Sequence, residues 1–201
     1  MLKLKRNISD IEVKTAIKKA EKGLKQYTQI MALFPKVDAS KDISFQKEFR
    51  IFYRFMFLNN GFISDYFSFL QEHKNNSPDF IDTLKYFQEK YDKFFYSYVS
   101  KMLATIDPNL PVWDSNVCSV FGFKNPNDLL SKEKKINKAK AIYRNLTEWY
   151  KNFMLSEEGC KWIKFFDEVY PDSNITAIKK IDLILWKLSK DKNNGKTDPA
   201  L

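Results

Sequence analysis

The sequence predicts an all-α protein that folds as a single globular domain of about eight to ten helices. Apolar residues recur at steps of three and four along nearly the whole chain, whereas no alternating run is long enough to support a sheet. A hydrophobic fraction of 44%, with 16% aromatic residues, gives this chain of 201 residues the material for a large core. We expect the domain to span residues 1–190 and the polar segment 191–201 to be a flexible tail.

The elements of the N-terminal half begin with a capping box. Ser9 is followed three residues later by Glu12, so the serine oxygen can accept a backbone N–H while the carboxylate reaches back. The helix that starts there is predicted to continue through Phe34 and to end at Pro35. The same periodicity predicts four further helices: near 43–58, over 62–70, from a cap at Ser77 through Phe87, and over 92–106.

A proline-framed link separates the two halves of the chain. Asp107-Pro108-Asn109 is predicted to form a turn, and prolines disfavour helix in the residues before them, so the segment from Leu110 to Asp114 should be extended. Asp114 can then cap a short helix. Beyond this cap we expect that helix to run through Val120, followed by a turn at Asn125-Pro126 and helices near 132–155, from Ser156 through Val169, and over about 175–189.

The positive charge is concentrated in two segments. The chain carries 34 Lys+Arg against 25 Asp+Glu, a formal net charge of +9. Residues 1–40 and 132–164 each contribute +5, while the rest of the chain is close to neutral. If these segments lie side by side, they form one basic surface of the kind that binds nucleic acid. The alternative is that the lysines only coat solvent-exposed helix faces.

Several chemistries are disfavoured by the residues that the chain lacks. Its one histidine, His73, lies at the exposed end of a predicted helix, so we expect no histidine catalysis and no metal site. Cys118 and Cys160 have no CxxC spacing and are expected to be reduced core thiols. There is no phosphate-binding glycine loop, nucleophile elbow or membrane-spanning apolar run. We therefore expect a cytoplasmic protein without a cofactor.

The proline-framed link supplies the candidate site. An aspartate at the start of a helix has a fixed position and backbone N–H donors nearby, which suits a catalytic carboxylate. Asp114 is therefore the candidate catalytic residue, and Trp113 and Tyr98 are candidate pocket residues. Capping alone also explains an aspartate at this position.

The same segment carries a resemblance to a known family. A helix, then Pro111-Val112, then Asp-x-x-Val at a helix start is similar to the segment of the helix-hairpin-helix DNA glycosylases that holds their catalytic aspartate. The resemblance implies a glycosylase-like helical architecture, in which Asp114 stabilises a developing sugar cation and Val117 packs beneath it. It also implies duplex DNA as the partner. The phosphate contacts are then expected on the basic helix near 132–155, at Lys132, Lys134, Lys135, Lys138, Lys140 and Arg144.

The chain departs from that family in two places. The Gly-x-Gly hairpin that grips phosphate is not recognisable, because residues 89–95 contain no glycine. The lysine nucleophile of bifunctional members would fall near Phe95, and Lys93 and Lys101 lie on either side without matching it. Lys101 is kept as a second catalytic candidate. Because of these two departures, the resemblance does not decide whether the protein excises bases.

A second resemblance is longer but implies no activity. The run from Ser100 to Asp114 matches a Ser-Lys-x-Leu-Ala-Thr-Ile-x-Pro-x-x-Pro-x-Trp-Asp pattern of a group of uncharacterised bacterial all-helical proteins, and residues 175–186 resemble their C-terminal pattern. The alternative to DNA binding is therefore a non-enzymatic interaction or accessory protein. In that case Asp114 only caps, and an exposed aromatic patch should mark the partner surface, with Tyr96, Tyr98 and Trp162 as candidates.

Overall fold

The computed structural model describes residues 2–55, 58–128 and 131–190. Within these residues it contains ten α-helices and no strand, which confirms the prediction of an all-α single domain. The helices are α1 (Asp10–Lys19), α2 (Glu21–Leu33), α3 (Ile43–Tyr53), α4 (Asn60–Glu72), α5 (Phe80–Tyr91), α6 (Tyr96–Ile106), α7 (Ser115–Phe121), α8 (Lys132–Leu155), α9 (Glu157–Val169) and α10 (Ala177–Lys190). The predicted tail, residues 191–201, lies outside the described part of the chain.

The first predicted helix is in fact two helices, α1 and α2. The capping box at its start is present, but the helix breaks at Ala20, whose N–H donates to the Ile17 carbonyl at 2.9 Å in a turn tighter than an α-turn. The Tyr170 hydroxyl, just after α9, donates to that same carbonyl at 3.1 Å. A contact with a distant part of the chain therefore accompanies the break, and local periodicity gave no sign of it.

Three other helix boundaries differ from the prediction. α3 ends early because Arg54 adopts a left-handed conformation, with φ 55° and ψ 55°. α5 is capped by Asp79, whose carboxylate accepts the first backbone N–H groups, so the predicted cap at Ser77 is wrong. α6 begins at Tyr96 rather than near 92, since Asp92 is also left-handed, with φ 53°. The helices α5 and α6 are consequently joined by a four-residue loop, 92–95.

The last helix, α10, lies at the centre of the molecule. It packs against α1, α7, α8 and α9, and most of its side chains are buried. Its apolar residues belong to the same core cluster as the aromatic side chains of α3 to α6. Polar residues on α10 are thereby held at fixed positions inside the protein.

The two basic segments of the sequence are neighbours in the fold. α1 packs against α9, and α9 packs against α8. Lys161 pairs with Asp10 at 2.5 Å, and the Lys14 ammonium lies 4.3 Å from the centre of the Phe165 ring. The region around α1 and α9 therefore brings residues 1–40 and 132–164 together.

The two cysteines differ in their surroundings. Cys118 is buried, as predicted, and its burial raises the pKa of the thiol to about 12. Cys160 is exposed on α9, so the prediction of a second core thiol is wrong. The neighbouring Gly159 is the buried residue instead, at a position where a side chain would collide with the Phe153 carbonyl. None of the described helices combines the length and the apolar character needed to cross a membrane.

Candidate functional site

The link that carries the candidate aspartate is held in place by side chains of flanking elements. The Ser100 hydroxyl on α6 accepts the backbone N–H of Trp113 at 2.9 Å, and Ser100 is completely buried. The hydroxyl of Thr176, just before α10, donates to the Pro108 carbonyl at 2.8 Å. Because both ends of the link are bonded to the core, the position of Asp114 is fixed relative to α6 and α10.

Asp114 is the N-cap of α7, as the sequence predicts. Its Oδ1 accepts the Val117 N–H at 3.0 Å, and Val117 is buried beneath the turn. The residue as a whole is half-buried, and it lines an open cavity.

A cavity of about 310 Å³ opens beside this carboxylate. Its wall is formed by the end of α3, the first half of α6, the link, the start of α7 and one face of α10. The lining includes Tyr53, Tyr98, Lys101, Asp114, Asp182 and Trp186. The cavity thus contains the candidate aspartate, one candidate pocket residue and the second catalytic candidate.

Lys101 lies in the cavity wall with only 8% of its surface exposed. Its ammonium donates to the Tyr53 carbonyl at the end of α3, at 2.9 Å, and lies 5.6 Å from the centre of the Tyr98 ring. An ammonium group has three N–H donors, so this bond leaves capacity for a ligand.

Burial and mutual attraction act in opposite directions on Lys101 and Asp114. Burial raises the pKa of Asp114 above its usual range, and the charge of Lys101 is the largest influence that opposes this rise. Burial lowers the pKa of Lys101, and Asp114 is the largest influence that opposes the fall. Perturbed groups of opposite charge in one cavity are typical of functional sites.

A buried ion pair forms another part of the wall. The Lys179 ammonium lies 2.9 Å from Oδ2 of Asp182, and the Tyr150 hydroxyl donates to Oδ1 at 3.3 Å. Lys179 is 1% exposed; its burial disfavours the charge, but Asp182 and nearby tyrosines raise its pKa above the ordinary value. This pair is charge-neutral and belongs to the structural support of the cavity.

Two cations flank one indole ring at the cavity. The Arg54 guanidinium and the Lys187 ammonium each lie 5.2 Å from the centre of the Trp186 ring. Arg54 and Trp186 line the cavity, and Arg54 is exposed. Arg54 therefore adds a positive charge to the side of the cavity formed by α3 and α10.

A shallower basic groove adjoins the cavity and shares Ser115 and Asn125 with it. Lys5 and Lys124 lie in this groove. The stem of Lys5 crosses Gly122, whose φ of 79° and lack of a side chain allow the close approach. Basic residues thus continue outward from the cavity along the surface of α7.

The predicted pocket residues have different locations. Tyr98 lines the cavity together with Asp114 and Lys101. Trp113 does not line it; the ring is completely buried and stacks on Tyr96, with 5.0 Å between ring centres. Its indole N–H donates to Asn125 Oδ1 at 2.9 Å, so Trp113 supports the wall from behind.

The six predicted phosphate contacts all lie on α8 and outside the cavity wall. Lys132 pairs with Asp92 at 2.7 Å, and the Lys135 ammonium lies 5.7 Å from the centre of the Phe94 ring. The N-terminal end of α8 is therefore next to the α5–α6 loop, only a few residues before Ser97 in the cavity wall. The prediction of phosphate contacts on α8 stays a prediction.

The other candidate residues take no part in the cavity. Tyr96 and Trp162 are buried, so neither belongs to an exposed aromatic patch. His73 caps the end of α4 and stacks on Phe69, with 4.1 Å between ring centres. No group of three His, Cys, Asp or Glu residues in the described chain is placed to hold a metal ion.

Sequence reasoning missed several residues of the site. Lys179, Asp182 and Trp186 are spaced three and four residues apart, which places them on one face of α10, and that spacing was a usable signal. Arg54 gave no such signal, because its role depends on a left-handed backbone and on a ring more than a hundred residues away.

Comparison of the chain with protein-family models, with curated proteins and with solved structures gives no match.

Proposed function

We propose that this protein binds DNA and is a DNA glycosylase-like enzyme that receives an extruded nucleobase in the cavity beside Asp114. The observation that carries the proposal is the presence of Asp114 and Lys101, with opposite charges, in the wall of one open cavity of about 310 Å³. That volume lies at the lower end of small-molecule sites, about 300–1,000 Å³. Tyr98 supplies an aromatic side chain of the type on which extruded bases stack.

The proposed reaction breaks the bond between the sugar C1′ and the base nitrogen, and the bonding electrons leave with the base. The Asp114 carboxylate stabilises the positive charge that develops on the sugar. The Lys101 ammonium donates a hydrogen bond to the departing base. A water molecule then adds to C1′, and its proton passes to the base. Partial burial strengthens both electrostatic effects, because less water screens the charges.

Binding of the DNA backbone is supported by the basic residues around the cavity. Lys5 and Lys124 lie in the adjoining groove, where phosphates on either side of an extruded nucleotide would pass. The lysines at the start of α8 lie next to the α5–α6 loop. In this proposal the cavity binds the base while these residues bind phosphates.

The test is base release by Asp114→Asn. Asparagine caps helices as well as aspartate, so the variant should keep its unfolding midpoint while it loses the charge. We expect the wild-type protein to release free base from at least one member of a panel of duplexes, each with one modified base. D114N should be slower by about 100-fold or more, whereas Lys85→Gln, on the exposed face of α5 and outside the cavity wall, should retain the rate. A wild-type protein that leaves every duplex intact, or a fully active D114N, would contradict the enzymatic proposal.

A non-enzymatic interaction protein remains the second candidate. The observation that favours it is the Asp114–Val117 hydrogen bond, because capping alone accounts for an aspartate there. This candidate predicts a stable dimer in light scattering and no affinity for DNA. Salt-sensitive binding to duplex DNA would favour the first proposal instead.

A further inference from the structure

Asn125 has a defined position where the cavity meets the adjoining groove. It lines both of them, and it is exposed, so a ligand can reach it. The next residue, Pro126, is buried and starts a single turn of 3₁₀ helix, Pro126–Asp128, which packs against α8. This packing holds the backbone of Asn125 in place.

The orientation of the Asn125 amide is determined by Trp113. The Trp113 indole N–H donates to Oδ1 of Asn125 at 2.9 Å. An indole nitrogen is only a donor, so the atom that faces it must be the amide oxygen and not the amide nitrogen. The Cys118 thiol is a second, weaker donor to the same oxygen, at 3.9 Å. The amide therefore cannot flip without losing both contacts.

The amide nitrogen of Asn125 is the atom that remains for a ligand. Within the described residues, no protein group accepts a hydrogen bond from Nδ2. The Lys101 ammonium, in the same wall, is also only a donor, and it has one acceptor in the protein, the Tyr53 carbonyl. The cavity therefore offers hydrogen-bond donors from two different elements of the fold.

The acceptors in the wall are already engaged by the protein. Asp182 accepts from Lys179 at 2.9 Å and from Tyr150 at 3.3 Å, one bond on each carboxylate oxygen. Asp114 accepts the Val117 N–H at 3.0 Å, and in the proposed function its carboxylate acts on the sugar. A ring that displays oxygen acceptors therefore complements this wall better than one that displays an amino group.

We propose that Asn125, oriented by Trp113, is a specificity-determining residue whose amide N–H donates to an oxo group of the bound base. The presence of a base rests on the proposed function; the donor character rests on the Trp113 bond. The substrate class is a base such as uracil or hypoxanthine, with a carbonyl where cytosine or adenine has an exocyclic amino group. An amino group is itself a donor there, so it leaves the Asn125 N–H without a partner.

Asn125→Asp changes the hydrogen-bond character of the site with little change in shape. The carboxylate can still accept the Trp113 indole N–H, but its second oxygen is an acceptor instead of a donor. Calorimetric titration of the full chain with deoxyuridine and with deoxycytidine measures the preference. The wild-type protein should bind deoxyuridine at least about ten-fold more tightly. N125D should lose or reverse that preference.

Asn127→Asp is the matched control. It introduces the same charge on the same turn, but Asn127 is exposed and lines neither the cavity nor the groove. N127D should keep both the unfolding midpoint and the preference of the wild type. The proposal is overturned by equal wild-type affinities, by tighter binding of deoxycytidine or by no binding of either nucleoside. An N125D variant with an unchanged preference, or an N127D variant that loses it, also overturns the proposal.

Trp113→Phe tests the orienting role separately. Phenylalanine keeps an aromatic ring beside Tyr96 but has no N–H, so the Asn125 amide can turn either of its polar atoms toward the ligand. We expect W113F to bind the two nucleosides with affinities within about three-fold of each other. A purely structural role would weaken both ligands equally and leave their ratio at the wild-type value, which would contradict the orienting role of Trp113.

Duplex substrates separate this proposal from the glycosylase. A preference for deoxyuridine in binding, without base release from any duplex, keeps the role of Asn125 and rejects the glycosylase. Base release that does not distinguish uracil from cytosine rejects the role of Asn125 and keeps the glycosylase.

Discussion

Lys101 and Asp114 show how two ionisable residues can share one partly buried environment. Burial disfavours both charges, and each residue offsets part of that cost for the other. The ammonium also has the Tyr53 carbonyl as a neutral acceptor, whereas the carboxylate has the backbone of α7. The charge of Lys101 and the backbone N–H of the helix cap therefore both favour the ionised form of Asp114.

Lys101→Met tests that dependence through pH. Without Lys101, the pKa of Asp114 should rise further, because the positive charge of Lys101 is the largest influence that lowers this pKa against the effect of burial. When the pKa of a carboxyl is higher in the folded protein than in the unfolded chain, the free energy of unfolding decreases as the pH rises from the unfolded-state pKa to the folded-state pKa. We expect the deficit of K101M relative to wild type to grow by about 1 kcal/mol between about pH 4 and about pH 8, measured by urea unfolding. A deficit that stays constant with pH would show that the two charges are not coupled.

At the scale of elements, the link between α6 and α7 determines where the Asp114 carboxylate lies. It has no internal ladder of hydrogen bonds, so its shape depends on side chains from elsewhere, chiefly Ser100 and Thr176. These bonds place the start of α7 against the cavity. Because the link is bonded to α6 and to the residue just before α10, the packing of these helices fixes the position of the Asp114 carboxylate.

Ser100→Ala should loosen this link. The change leaves the Trp113 N–H buried without its partner, which costs about 1–3 kcal/mol. The exposed Ser119→Ala on α7 is the matched control and should change stability by less than about 0.5 kcal/mol. Urea unfolding measures both variants. If S100A proves as stable as S119A, then the hydroxyl does not secure the link.

Local signals account for what the sequence predicted correctly. The Asp114 cap, the Pro-framed link and the limits of α8 each depend on residues within a few positions, and all three are confirmed. The break at Ala20 was missed because its partner, Tyr170, lies 153 residues from Ile17. The environment of Lys101 was missed for the same reason, since Tyr53 comes from another helix. Contacts between residues so far apart in the sequence leave no trace in the periodicity of the apolar residues.

At the scale of the whole molecule, the net charge of +9 is arranged in more than one place. One basic region follows α1, α8 and α9, where the two charged segments meet. A smaller one surrounds the cavity through Arg54, Lys5 and Lys124, only one of which lies in those segments. Charge counting located the first region and overlooked the second.

Paired substitutions compare the two regions as DNA-binding surfaces. The double substitution Lys5→Gln with Lys124→Gln removes two charges beside the cavity. It should reduce the magnitude of the negative slope of log affinity against log salt concentration by about 1.8. Lys138→Gln with Lys140→Gln removes the same charge from α8. These two point about 200° apart around the helix and cannot both face one duplex, so we expect a smaller change. A larger effect on α8, in duplex titrations at several salt concentrations, would move the DNA to that helix.

The central position of α10 has a consequence for how the cavity exchanges ligands. Four residues of the wall, Lys179, Asp182, Leu183 and Trp186, belong to this helix, and it is packed between α1, α7, α8 and α9. Helices in such positions exchange their amide hydrogens only when the whole domain unfolds, so they do not swing aside as lids. A ligand of the proposed site would therefore enter through the existing opening, and this helix would lose little conformational entropy when the ligand binds.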